Sequence, residues 1–294
     1  MPSVGTVAPN GLATGVAEGQ TTIAAVAGAF QTSGVLQVTE GQPIPIDPRL
    51  IAPPLDLTSG TPIFKATEFL YTGPGAIQSG VAEGTIEPRR VSIIRGAVRT
   101  PAGTPLPGVA VTVRDHPEFG STLTRLDGAF DLAVNGGALL TLNYRKDGYL
   151  PADRPVDAVW QDYVWAPGVA MVPLDERVTA VNLSSPAPVQ VVRGTPSIDD
   201  DGTRTATLLV PQGTTATLVM PDGSLQPVTR LSVRATEYTI GDPGPEAMPA
   251  PLPTMSGYTY AAEFSVDEAL AAGATDVRFS QPLVTYVENF LDIS

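Results

Sequence analysis

The chain has 294 residues, a net charge of −13 and 43% hydrophobic content, so it lacks the basic footprint that nucleic-acid and anionic-membrane binders need. Only 16% of its residues are charged, which excludes an acidic disordered tail. It has no cysteine and one histidine, His116, which excludes disulfides, thiolate catalysis, iron–sulfur clusters, cysteine-held zinc and multi-histidine metal sites.

At about 150 residues per domain, the length suggests two domains or three small β modules. No apolar run is long enough for a membrane helix. The N-terminus lacks the basic and apolar regions of a signal peptide, so any export signal is expected outside these residues. Residues 1–39 carry short strand-forming stretches around an Asn10-Gly11 turn. Residues 40–91 are a linker and lead-in. Pro43, Pro45, Pro48, Pro53, Pro54 and Pro62 make its first part extended. GVAEG occurs at 15–19 and at 80–84, but the flanks differ and no repeat follows.

From residue 92 onward, alternation takes over. Val109, Val111 and Val113 fall on one strand face, Phe130, Leu132 and Val134 on a second, and Leu140, Leu142 and Tyr144 on a third. Asp-Gly pairs at Asp127, Asp147, Asp201 and Asp222 mark tight turns. Asn135, Gly136 and Gly137 supply three positions that tolerate positive φ. Pro186 and Pro188 break the chain after a strand-like run at 178–183. Further strand-like runs are Thr205–Val210, Thr215–Met220, Leu231–Ala235 and Tyr258–Phe264. The Pro-rich stretch 242–253 is expected to be a long loop. One helix is predicted, with Ser265 as N-cap, Glu268 completing a capping box and Gly273 as the stop. The fold class is therefore all-β: tandem sandwich modules with one short helix.

Several stretches resemble known families. Residues 1–39, with Asn10-Gly11, Thr14, Gly15, Val16, Gly19, Thr22, Ile23, Ala24 and a last strand near Val35–Thr39, resemble the C-terminal half of a bacterial Ig-like group 2 domain. The first half of such a domain is missing, so the chain is expected to be a fragment of something longer. Residues 92–176 resemble a carboxypeptidase-regulatory-like, or transthyretin-like, sandwich. Gly96, Gly103, Pro105, Leu106, Gly108 and Val109 match its opening. Thr124, Asp127, Gly128, Phe130 and Leu132 match its central hairpin, and Gly148 and Tyr149 its late turn. The stretch HPEFGSTLTRLDGAFDLAVNGG is narrower still: it is similar to the transthyretin-related domain of teneurins and of bacterial RHS/YD-repeat proteins. Residues 63–90 resemble the lead-in to that domain. Residues 181–294 resemble the segment after it, up to a plug-like region.

These resemblances divide the chain into 1–39, 40–91, a sandwich at 92–180 and a further β module at 181–294. They imply a non-catalytic structural or interaction module of a bacterial secreted or cell-surface RHS/YD-repeat protein, an adhesion or toxin-delivery scaffold. The implied location is extracellular. The implied partners are neighbouring modules of the same polypeptide and surface glycans or proteins, with no nucleic acid and no membrane insertion. No cofactor is implied. The rival readings are a carbohydrate-binding module and an accessory domain of an extracellular enzyme.

Four groups of residues invite a chemical role. His116 lies beside Asp115, Glu118 and Ser121, but no nucleophile elbow or oxyanion motif accompanies them, so a structural histidine at the Pro117 turn is the expectation. Asp199, Asp200 and Asp201 suggest a calcium loop. Leu208 stands where an EF-hand needs Glu, and a solvated Asp201-Gly202 turn is the simpler expectation. Asp127 and Asp131 flank a hairpin as weaker ligand candidates. Trp160, Tyr163 and Trp165 cluster closely; core packing or contact with a neighbouring module is the expectation, and an aromatic platform that stacks on sugars the alternative. Asn182-Leu183-Ser184 matches a glycosylation sequon by chance. No catalytic, cofactor-binding or metal residue is assigned.

Overall fold

A computed structural model describes residues 5–7, 13–15, 19–27, 30–38, 44–55, 58–200, 202–239, 244–251, 260–288 and 290. It is built almost wholly of β-strands in several sheets, as the alternation predicts. Contacts divide the chain at Pro43 and Ile44 into two units. In the first, Gly5–Val7 pairs antiparallel with Ala13–Gly15, and Gly19–Ala27 with Phe30–Val38. The predicted Asn10-Gly11 turn lies outside the described residues.

The second unit holds two packed β modules. The first is a sandwich. Its larger sheet has the order Ala152–Ala158, Ala138–Arg145, Ala110–Val113, Ser121–Leu123, Gln78–Ser79. Its smaller sheet is centred on Val91–Arg99. That strand pairs antiparallel with Ala129–Asn135 and parallel with Asp162–Trp165 and Val169–Ala170. Alternation sends Ile94, Val98, Phe130, Leu132 and Val134 inward, all buried, against Val111, Val113, Leu140, Leu142 and Tyr144. Phe130 meets Tyr144 edge to face across the two sheets, ring centroids 5.8 Å apart. Gly96 makes this possible, because a Cβ there would stand 2.5 Å from the Phe130 ring. The Asp127-Gly128 turn forms: Gly128 has φ +76°, and a Cβ there would meet the Val98 carbonyl at 2.4 Å. It closes no hairpin, however, because Ser121–Leu123 before it lies in the larger sheet and Ala129–Asn135 after it in the smaller.

Four further expectations need revision. The lead-in does not stay outside the sandwich. Leu70, Tyr71 and Ile86 are buried in its core, and Gln78–Ser79 is the edge of its larger sheet. Gln78, fully buried, acts as a peptide surrogate. Its Nε2 donates to the carbonyls of Phe119 and Ala133, and its Oε1 accepts from the Ala133 N–H. It thus satisfies the exposed edge of Ala129–Asn135, which buried backbone groups require. Second, Ser265 is no N-cap. It sits inside strand Ala262–Val266, paired with Arg234, and Glu268 turns instead to accept from the Ser232 N–H. The helix Asp267–Ala272 still stops at left-handed Gly273. Third, short helices also form at Pro48–Ile51 and Ile63–Thr67. Fourth, of Asn135, Gly136 and Gly137, only Gly137 takes positive φ.

The second module comprises sheets ordered Thr179–Asn182, Arg230–Glu237, Ala262–Val266; Val189–Arg193, Thr207–Pro211, Val284–Tyr286; and Leu225–Val228, Ala216–Val219, Asp276–Phe279. Leu208, Val210, Leu218, Leu231 and Val233 fill its core. A third core joins the modules: Leu150 and Val172 of the sandwich pack with Tyr238, Ala247 and Met248. The latter two belong to the Pro-rich stretch expected to be loop. Burying them gives that stretch a structural duty. Among the described residues no helix is long and apolar enough to cross a membrane.

Candidate functional site

The outer face of the small sheet is divided. Ile93 and Ala133 point outward yet are fully buried, because the helix Ile63–Thr67 and the turn after it pack there. Beyond them the face is open. Arg95 and Asp131 stand opposite each other in register. Asp131 is buried and accepts from Arg95 Nε at 2.8 Å and from Arg125 Nη1 at 2.5 Å. The Arg95 guanidinium lies 4.0 Å from the centroid of the Tyr163 ring, a stacked cation–π contact. Strand Asp162–Trp165 runs parallel beside it, with Trp165 level with Arg95. Its burial alternates: Val164 is half-buried while Tyr163 is 39% and Trp165 72% exposed.

Arg95, Arg125, Asp131, Arg49 and Trp165 line a concavity of about 300 Å³, with Gly96 and Phe130 also bordering it. Arg49 at its rim holds Asp47, whose carboxyl is drawn down to about 2 mainly by hydrogen bonding to the Arg49 side chain. The Nη groups of Arg95 make no hydrogen bond among the described residues, while Arg125 Nε is buried and lies 3.7 Å from Asp127 Oδ1, an ion pair. The unused Nη edge of Arg95 therefore lies beside an exposed indole.

Trp160 is not part of this shelf. Its Nε1 donates to the Gly136 carbonyl at 2.9 Å, and its ring lies over Gly137, where a Cβ would stand 2.1 Å from Nε1. Gly136 is tied to Arg90, just before the start of the central strand and five residues from Arg95. At roughly 3.3 Å per residue along a strand, that separates Trp160 from Trp165 by more than 10 Å. Among the described residues no two of these three rings stack on each other.

The other sequence candidates disperse. His116 Nδ1 pairs with Glu118 Oε1 at 2.9 Å and holds that exposed carboxyl below its usual range. Its ring rests on Phe119, centroids 5.6 Å apart. Ser121 faces Ser79 across a strand pair, Asp115 occupies a left-handed turn at φ +61°, and no hydrogen bond links either to His116. Both oxygens of Asp199 are held by Arg204, at 2.6 and 2.8 Å, and Asp201 lies outside the described residues. Asp127 caps its own turn by accepting from the Ala129 N–H. Among the described residues no group of three or more acidic or histidine side chains is placed to hold a metal ion.

Sequence reasoning missed two features. One is the ion cluster of Arg95, Arg125 and Asp131, whose only sequence signal is a charge at an outward position of each strand. The other is Arg204, 1% exposed, which bridges Asp199, Glu237 at 2.6 Å and the Thr239 carbonyl, under the ring of Phe290. Of these partners only Asp199 is near it in the chain; Glu237, Thr239 and Phe290 lie 33, 35 and 86 residues away, so the local sequence does not announce the cluster.

The family model of the Teneurin TTR-like domain matches residues 86–171, a span that takes in the end of the lead-in. The chain is 34% identical over 154 residues to Teneurin-3 of Danio rerio, an alignment covering 51% of this chain and 6% of that protein. Over 145 residues it is 35% identical to Teneurin-m of Drosophila melanogaster, covering 49% and 5%. Over 101 residues it is 36% identical to Teneurin-1 of Gallus gallus, covering 34% and 4%. The sandwich is thus teneurin-like, and the matched part spans about one-twentieth of each relative.

Proposed function

We propose that this chain is a non-catalytic spacing and interaction piece of a large cell-surface or secreted protein, of the teneurin and bacterial RHS/YD-repeat kind. The observation that carries this reading is the joint between the modules. A teneurin-like sandwich continues into a second β module through a shared core of Leu150, Val172, Tyr238 and Met248. Arg154, buried in the sandwich sheet, reaches across to donate to the Glu246 carbonyl at 2.7 Å, and the Asp153 N–H donates to Pro249. Polar contacts of this kind fix orientation as well as adding stability. A rigid joint suits a piece that sets the distance between neighbours in one polypeptide. The outward-facing residues also support a non-catalytic role: His116 has a carboxylate partner but no nucleophile in hydrogen-bond reach.

The experiment is a substrate panel of polysaccharides, peptides and phosphoesters incubated with the chain, read by product release. No release is expected. Release abolished by changing a single Asp or Glu makes the protein an enzyme and overturns the reading.

A second reading, carbohydrate binding, is favoured by one observation: Trp165 lies 72% exposed beside unused arginine N–H groups.

A further inference from the structure

The open shelf on the small sheet has a chemistry of its own. Three arginines line it, Arg49, Arg95 and Arg125, against two carboxylates, Asp47 and Asp131. Asp127, 3.7 Å from Arg125 Nε, balances the third arginine, so the cluster as a whole is neutral. What it leaves for a ligand is the one free guanidinium edge of Arg95, which suits a single carboxylate, because a second negative charge on the ligand would meet Asp131. Arg95 is already fixed on two sides, by Asp131 at Nε and by the Tyr163 ring under its plane. A guanidinium held in this way loses little freedom on binding, and its free edge presents two parallel N–H groups that match a carboxylate. Trp165, level with Arg95 in register, adds a flat apolar wall. The concavity of about 300 Å³ lies at the small end of ligand-site volumes, enough for one or two sugar rings.

We infer that Arg95, Arg125 and Trp165 form a binding site for an acidic sugar, a pyranose bearing one carboxylate, as in a uronic-acid chain. The carboxylate lies against the free edge of Arg95 with Arg125 behind it. The C–H face of the ring stacks on Trp165. Trp160 takes no part. This deepens the carbohydrate-binding reading and is independent of the spacing role.

The test titrates oligogalacturonate into the full chain and follows tryptophan fluorescence and heat. The matched control is the same oligosaccharide with its carboxyls methyl-esterified, which keeps the rings and removes the charge. Binding of the acid form is expected, weakened at least about tenfold by esterification, by Arg95→Gln or by Trp165→Ala, the loss of one charge-assisted contact or of the stacking wall. Binding should also weaken as salt rises from about 0.05 to about 0.5 M. Trp160→Ala should bind like the parent. Circular dichroism melts check that each variant is folded. Two positions, half-buried Arg95 and exposed Trp165, are tested so that one misfolded variant does not leave the site undecided. Equal binding of acid and ester, lost in Trp165→Ala, would keep the carbohydrate reading and overturn the acid specificity. Binding that survives both Arg95→Gln and Trp165→Ala places the sugar elsewhere and overturns the site. No binding of either form overturns both.

Discussion

The two faces of one small sheet show how the same strands serve different ends. Along Val91–Arg99, the even positions Ile94, Gly96 and Val98 look into the sandwich and are dry. The odd positions Ile93, Arg95 and Ala97 look outward, and their fate depends on what covers them. Where the lead-in lies, Ile93 is as buried as any core residue. Two residues further on, Arg95 faces Tyr163, Asp131 and solvent. The inner face is fixed by packing, which tolerates little change. The outer face beyond the lead-in carries exposed aromatic surface that the fold itself does not need, beside an ion cluster in which Arg95 and Arg125 neutralise buried Asp131. The difference teaches that the boundary between structural and functional surface is drawn here by a segment remote in sequence.

The largest effect should come from the inner face. Phe130→Ala removes a fully buried ring that spans both sheets and should cost about 3 to 5 kcal/mol in a denaturant melt. A cost below about 1 kcal/mol would break the assignment of faces. Gly96→Ala should follow, at about 1 to 3 kcal/mol, because its methyl group would press on the packed Phe130 ring and force the core to shift. An unchanged midpoint would show that Phe130 has room to move.

The covered part of the outer face is probed by pH. Burial pushes the Tyr71 phenol of the lead-in up to about 12, above an ordinary value of about 10. The folded state keeps this proton where the unfolded chain has lost it. Stability is therefore complete below about pH 10 and declines as pH rises toward 12. Tyr144 and Tyr260 are shifted the same way by burial, so several groups contribute to the alkaline decline. Tyr71→Phe should make the decline shallower in melts between pH 9 and 12. An identical decline in the variant would show that the lead-in does not seal Tyr71 from water.

Much of the inner face was legible in the sequence. Valine, phenylalanine and leucine at every second position, bounded by Asp-Gly turns, specify strands with one buried side, and Gly128 and Gly148 take the positive φ those turns need. The outer face was not legible, for physical reasons. Asp162–Trp165 is a parallel edge strand whose partner lies some 70 residues earlier, so no hairpin signal marks it. Gln78 reads as an ordinary polar residue until its 55-residue reach to Ala133 is seen. The aromatic cluster at 160–165 was visible, but its division into a tethered Trp160 and an exposed Tyr163 and Trp165 depends on the Gly136-Gly137 loop folding beneath the indole. The Ser265 capping box failed because strand pairing with Arg234 outweighs one local cap.

The central claim is that the Trp165 side of the shelf is open surface, free of duty in the fold and available to a ligand, beside an Arg95 that also serves buried Asp131. The denaturant melt of Trp165→Ala tests it most directly. The account predicts a cost of about 1 kcal/mol or less, as for a mostly exposed side chain. A cost matching that of Phe130→Ala would place Trp165 in the folding core and contradict it.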